Sequence, residues 1–230
     1  MDGSGTESGG GLRRKRLKVP VDDAALRELQ LGDIVFLDGV IYTGREGLYQ
    51  RILGDGIEPP VPLREISNAN FHCSPAASVN DDGTYNVGAV TATASFRFSK
   101  WLDAWFETSG CKLIIGKGGM SPEDYKTQLA PNGAVYLTTV GYGTGALLGR
   151  AIKRVVDVHW LEELGIAQAM WVLDVENFGP LIVESDFEGN SLFEQQNKLV
   201  NEKVEAAYEG LKPPALARYG ETTNREDEVV

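Results

Sequence analysis

The stretch Cys111 to Met120, Cys-Lys-Leu-Ile-Ile-Gly-Lys-Gly-Gly-Met, limits the fold more than any other. Leu113, Ile114 and Ile115 are aliphatic and partly β-branched, and a glycine cluster bounds them, which is the pattern of a short buried strand. Gly116, Gly118 and Gly119 open backbone conformations closed to other residues and let a ligand approach the main chain. Lys117 therefore stands at a glycine-lined strand end, a place where a cation meets an anion. A nucleotide phosphate loop needs four residues between its first glycine and the Gly-Lys pair, followed by Ser or Thr. Here five residues separate Gly110 from Gly116, and Gly118 occupies the place of the hydroxyl. A tight turn with a solvated lysine is the plainer alternative.

The chain has 230 residues, 42% of them hydrophobic, enough for one globular unit with a real core. No apolar run nears the roughly 20 residues of a membrane helix, and the N-terminus lacks an apolar signal core, so a soluble cytoplasmic protein without membrane contact is expected. The net charge of −11, from 22 Lys and Arg against 33 Asp and Glu, argues against a nucleic-acid partner. Any attraction for an anion must therefore be local. Cys73 and Cys111 are too few for a disulfide framework or to cage an iron–sulfur cluster, and no metal is expected on this chain.

Residues 1–11 are Gly/Ser-rich and read as a disordered tail, followed by the basic run Arg13–Arg16, read as a solvated arm. Asp22 or Asp23 caps a short helix over Ala24 to Leu29. Asp33–Leu37 and Val40–Tyr42 read as two strands joined at Asp38-Gly39 by a tight hairpin turn. Thr43-Gly44-Arg45-Glu46 follows, with Arg45 at a strand end and either free to bind or paired with Glu46; a helix is expected over Gly47 to Leu53. Three prolines make Glu58–Leu63 an extended connector, and Ala69–His72 is a strand whose last residue and Cys73 point to opposite faces, favouring core placement over a shared metal site. Asp81-Asp82-Gly83 signals a second hairpin.

Val87 to Arg97 is rich in small and hydroxylated residues and ends at a cation. Thr91, Thr93 and Ser95 share one parity and lie on one face if extended, and a helix begins near Ser95 and runs through Trp101 and Trp105. Ser121-Pro122 opens a helix over Glu123 to Gln128, Ala134–Val140 is another buried strand, and Gly141-Tyr142-Gly143-Thr144-Gly145 leads into a helix from Ala146 to Ile152. That glycine series lacks dinucleotide-binding spacing, so tight strand-to-helix packing explains it. Val155–Trp160, Ala169–Val175 and Leu181–Glu184 are strand candidates. Asn190 caps a final amphipathic helix, Leu192 to Leu211, before a polar acidic tail.

The ordered set Ile41-Tyr42-Thr43-Gly44-Arg45-Glu46, Thr93-Ala94-Ser95-Phe96-Arg97 and Ile115-Gly116-Lys117-Gly118-Gly119-Met120 resembles the β subunit, or C-terminal domain, of class I iron–sulfur fumarases and L(+)-tartrate dehydratases. Val158-His159-Trp160 and Phe178-Gly179-Pro180-Leu181-Ile182-Val183 look closest to the tartrate dehydratase branch. The similarity runs from about Leu17 to Lys198. It implies an α/β fold, a swivelling β/β/α domain with a mixed central sheet flanked by helices, over residues 17–211 between tails at 1–16 and 212–230. It also implies a cluster-bearing α subunit as partner, holding a 4Fe-4S cluster, in an α2β2-type assembly.

The implied activity is a hydro-lyase reversibly adding or removing water on a 2-hydroxy dicarboxylate, L-tartrate to oxaloacetate or malate to fumarate. The alternative is a non-catalytic binding or regulatory subunit of such a complex. Carried onto this chain, Arg45, Arg97 and Lys117 bind substrate carboxylates, Lys117 also stabilises developing charge, and Thr93 handles the proton, with Thr91 as the alternative. The family's Arg-Asp with histidine three residues on is Arg45-Glu46 followed by Tyr49 here, and its Gly-Pro-Thr-Thr is Thr91-Ala92-Thr93-Ala94.

Overall fold

A computed structural model describes residues 12–141, 143–207 and 209. In chain order the elements are β1 (Arg14–Val19), α1 (Asp23–Arg27), β2 (Ile34–Thr43), α2 (Glu46–Tyr49), α3 (Leu63–Ile66), β3 (Ala69–Phe71), β4 (Cys73–Val79), β5 (Tyr85–Ala92), α4 (Ser99–Ser109), β6 (Leu113–Gly116), α5 (Pro122–Asp124), β7 (Val135–Thr139), α6 (Thr144–Arg150), β8 (Ile152–His159), α7 (Leu161–Leu164), β9 (Met170–Ser185) and α8 (Leu192–Ala207). Two of the short helices, α2 and α5, run on as single π-helical turns, and a 3₁₀ turn, Ser95–Phe98, leads into α4. Residues to Phe193 form one compact unit, and those from Glu194 a second.

The sheet is mixed, as the resemblance implied, and it closes on itself. β1, β2, β3, β6 and β7 are parallel neighbours, β9 runs antiparallel to β7 and β8, and β9 also pairs with β2. Leu181 and Ile182 each stand between a β2 residue and a β7 residue, which completes a ring of β2, β3, β6, β7 and β9. Such strands are covered on both faces. In β6 and β7 the alternation is visible residue by residue: Leu113, Ile115, Val135 and Leu137 join one core, while Ile114 and Tyr136 join the other. The first core holds Phe71, Trp171 and Phe178; the second lies under the helices around Trp105, Tyr42 and Tyr49. This explains why Leu113–Ile115 is continuously apolar instead of alternating with polar residues.

Several expectations change. Asp38-Gly39 is not a hairpin turn: β2 is continuous, with register irregularities against β9 on either side of Leu37. Parallel pairing of β1 with β2 holds it straight, and Asp38 accepts from Arg16 and from the Asn177 N–H at 2.7 Å. The basic run is not a solvated arm, because Arg14 opens β1, inside the tail expected over 1–16, and Arg13, Lys15 and Arg16 pair with Asp33, Glu28 and Asp38. The two strands expected across Ala169–Glu184 are one long β9. Asn190 donates to the Asp186 carboxylate at 2.9 Å rather than capping α8, while Glu184 accepts from Ser191 at 2.7 Å and from the Phe193 N–H. Residues 1–11, the end of the expected final helix beyond Glu209, and the tail 212–230 lie outside the described residues.

Other expectations hold in place. Asp22 caps α1, accepting from Ala25 N at 2.8 Å, and Ser121 forms a capping box with Asp124 at α5. β4 and β5 form the second hairpin through Asp81-Asp82-Gly83, with Gly83 at φ +81°. The glycines around α6 serve packing: a Cβ on Gly149 meets the Gly88 carbonyl oxygen at 2.5 Å, and one on Gly145 meets that of Val90 at 2.5 Å, so α6 lies directly on the β5 backbone. Gly149→Ala is expected to cost about 1–3 kcal/mol of unfolding free energy, since backbone and not a flexible side chain must move. Gly88→Ala, whose Cβ enters open space, changes stability by about 0.5 kcal/mol or less; urea denaturation of the two variants checks both.

Candidate functional site

Arg45 lies at the junction of β2 and α2. Thr43, just before it, is tied to β9, donating to Ala169 O at 3.2 Å and accepting from Trp171 N at 3.0 Å. The half-buried Arg45 guanidinium donates through Nη1 to Ala167 O at 2.9 Å and to Ser74 Oγ. Its Nε is buried with no hydrogen-bond partner among the described residues. The anticipated Arg45–Glu46 pair is not formed: Glu46 takes Lys100 at 2.9 Å and Trp101 Nε1 at 3.1 Å. Arg45 is left without a carboxylate among the described residues. Burial first, and then the charge of Arg97, lower its pKa from the ordinary value, so the two guanidinium groups feel each other.

Arg97 sits exposed in the 3₁₀ turn that leaves β5, and Lys117 is exposed just past the end of β6. The main chain joins these segments. His72 N donates to Ile115 O at 2.8 Å, Thr93 N donates to His72 O at 2.6 Å, and Lys117 N donates to Thr93 O at 3.2 Å, beside a parallel bridge between Ala94 and Lys117. Thr93 is therefore buried between the His72 strand end and the glycine loop. Thr91 is exposed, across from Ser74 in the hairpin. The shared face expected for Thr91, Thr93 and Ser95 does not form, because the extended chain stops at Ala92 and Ser95 opens the 3₁₀ turn.

The structure thus gathers Arg45, Thr93, Arg97 and Lys117 at one end of the sheet. Beneath them is a row of buried polar side chains that sequence reasoning missed. Tyr49 Oη and His72 Nε2 are 2.7 Å apart, as are His72 Nδ1 and Ser95 Oγ; Ser95 Oγ and Tyr136 Oη are 2.8 Å apart. Asn70 Nδ2 donates to Tyr49 Oη, and Tyr136 Oη reaches Lys117 O at 3.3 Å. Tyr49, three residues after Glu46, points into this row. His72 has core placement, as strand parity suggested, and its importance shows only once Ser95 and Tyr136 converge on Gly116. A Cβ on Gly116 would lie 2.0 Å from Ser95 Oγ and 2.7 Å from Tyr136 Oη. Glycine is required here by contact, in addition to any freedom it gives the loop.

Burial, and then the Arg45 charge, push the His72 pKa down to about 3, so the imidazole is neutral at physiological pH. The cysteines do not suit a cluster on this chain. Both are buried and free; burial pushes the Cys73 thiol well up and the Cys111 thiol up to about 12, against the thiolate a metal requires. Among the described residues no group of three or more His, Cys, Asp or Glu is arranged to hold a metal ion. No helix is long and apolar enough to cross a membrane.

A family model described as Fumarase C-terminus matches residues 6–196. The chain is 38% identical over 182 residues to a protein of Methanocaldococcus jannaschii provisionally named L(+)-tartrate dehydratase subunit beta, covering 78% of this chain and 91% of that one. It is 30% identical over 194 residues to the L(+)-tartrate dehydratase subunit beta of Escherichia coli K12, covering 83% and 92%. A Geobacillus stearothermophilus protein, provisionally named fumarate hydratase class I, is 33% identical over 188 residues, which are 82% of this chain but 35% of that longer one.

His72 also predicts a pH dependence of stability. Its folded pKa lies below the unfolded value of 6.5, so between about 3 and 6.5 the unfolded chain binds a proton that the folded chain does not. The stability present above pH 6.5 is lost as the pH falls, with a limiting slope of about 1.4 kcal/mol per pH unit. The raised pKa of Glu184, caused mainly by burial, acts with the opposite sign and is common to both proteins compared. Urea denaturation at a series of pH values from about 5 to 7.5 is expected to show a shallower decline toward acid for His72→Gln than for the unsubstituted chain.

Proposed function

The chain belongs to the fumarase C-terminus family, and from that membership we propose that it is the β subunit of an iron–sulfur hydro-lyase acting on a small 2-hydroxy dicarboxylate, L-tartrate or malate. The observation that carries this reading is electrostatic. Arg97 lies near enough to Arg45 for its charge to act on it, and neither arginine, nor Lys117 beside Thr93, has a carboxylate partner among the described residues, in a chain of net charge −11. Cations held close together without counter-ions repel, and a dianion relieves that repulsion.

In this reading the guanidinium groups of Arg45 and Arg97 bind substrate carboxylates, for which their planar fork is suited. The Nη1 contacts to Ala167 and Ser74 hold Arg45 in one orientation before substrate arrives. Lys117 stabilises negative charge as it builds on a carboxylate during carbon–hydrogen cleavage. Thr93 exchanges the proton at carbon, its hydroxyl made more acidic by the surrounding cations. The 4Fe-4S cluster belongs to a partner α subunit and supplies Lewis-acid chemistry at the hydroxyl that leaves or enters. The beta-subunit names of the relatives support such a partner. An α2β2-type assembly in the cytoplasm completes the proposal.

Anaerobic co-expression with the cluster-bearing partner, followed by a screen of fumarate, mesaconate and the tartrate isomers, tests it. Turnover of one dicarboxylate is expected, with Lys117→Ala lowering kcat about 100- to 1,000-fold and Arg45→Ala acting chiefly on KM. Absence of turnover with every dicarboxylate would sink the hydro-lyase reading; if the complex still forms and binds the ligand, the non-catalytic subunit takes its place.

A further inference from the structure

The buried row under the site has a direction, and it follows from counting protons. A carbonyl only accepts, so Tyr136 gives its one hydroxyl proton to Lys117 O. Tyr136 Oη then accepts from Ser95, and Ser95 Oγ, its own proton committed, accepts from His72 Nδ1–H. A neutral imidazole carries a single N–H. His72 Nε2 is therefore an acceptor for the Tyr49 hydroxyl, and Tyr49 Oη accepts in turn from the Asn70 amide. The reverse order, in which Tyr136 donates to Ser95 and Ser95 to His72, needs the Asn70 amide turned so that its oxygen accepts from Tyr49, and it takes the Tyr136 proton away from Lys117 O. Tyr49 and His72 are both 0% exposed, so their partners come from the row itself and not from solvent.

The row also connects the two segments that carry the site. Ser95 is two residues after Thr93 and opens the turn bearing Arg97, while Tyr136 ends on the main chain of Lys117 itself. The 2.0 Å clearance that a Cβ at Gly116 would leave to Ser95 Oγ shows how closely the turn is seated on β6. We propose that His72 is a positioning residue: a neutral imidazole protonated on Nδ1 that, through Ser95 and Tyr136, sets the spacing between the Thr93–Arg97 turn and the Lys117 loop. It touches no substrate. Its part is to keep the proton acceptor and the charge-stabilising lysine in register, and this consequence for turnover rests on the hydro-lyase reading.

Two measurements test the proposal separately from that reading. The chain has two histidines, so proton–nitrogen correlation spectra of the chain labelled with 15N-histidine, with His159→Gln as the assignment aid, read the tautomer directly. An Nδ1-protonated ring whose signals stay constant from about pH 5 to pH 8 is expected; an Nε2-protonated ring, or one that titrates in that range, overturns the assignment. In the complex with the cluster-bearing partner, Ser95→Ala and Tyr136→Phe are expected to lower kcat about 10- to 100-fold while KM moves by less than about threefold. Near-UV circular dichroism and complex formation should match those of the unsubstituted protein. Unchanged kcat in both variants refutes a positioning role. An unsubstituted complex that turns over no dicarboxylate removes the hydro-lyase reading instead, and the tautomer still decides where the His72 proton sits.

Discussion

The structure depends on β9 pairing with β2 and β7 at once. A strand of ordinary length serves one neighbour on each side, whereas β9 runs for 16 residues and gives its first half to β8 and β2 and its second half to β2 and β7. Closure removes the open edges a five-stranded sheet would have and leaves apolar side chains facing both inward and toward the helices. Within the ring, parallel pairing of β2 with β3 and of β3 with β6 sets the end of β2, where Arg45 begins a helix, beside the ends of β3 and β6. The candidate site follows from those parallel pairings and from the main-chain bonds of Thr93 to His72 and Lys117, which join distant parts of the chain.

Charge and neutrality are separated by depth at this sheet end. The cations lie at or near the surface, and directly below them the polar groups are uncharged and hydrogen-bonded to one another. A protonated His72 would add a fourth positive charge in a dry position, and its low pKa excludes that near neutrality. The neutral row supports the turn and the loop without adding to the repulsion between Arg45 and Arg97. A lysine or arginine in the same buried position would have done the opposite.

Much of this was legible from residues alone. The buried strand before Lys117, the hairpin at Asp81-Asp82-Gly83 and the capped helices follow from local chemistry, and the four candidate site residues came from a resemblance that the geometry then placed together. What was not legible depended on partners distant in sequence. Asp38-Gly39 has hairpin chemistry, yet parallel pairing with Arg14–Val19 and a bond from Asn177 keep β2 straight. The basic run looked like an arm because its acidic partners are 13 to 22 residues away. His72 and Tyr136 carry no local signal at all, since a buried histidine and a strand tyrosine read as core until Ser95 is brought between them.

The uncompensated cations have a consequence for how a ligand reaches them. At physiological salt, charges are felt over about 8 Å, so a dianion diffusing from bulk first meets the field of a chain with net charge −11 and senses the cluster only at close range. The capture radius is small. A surface of this kind is poorly made for fishing an anion out of solution and well made for closing over one already held on an opposing face, where water and screening ions are expelled and each guanidinium contact strengthens.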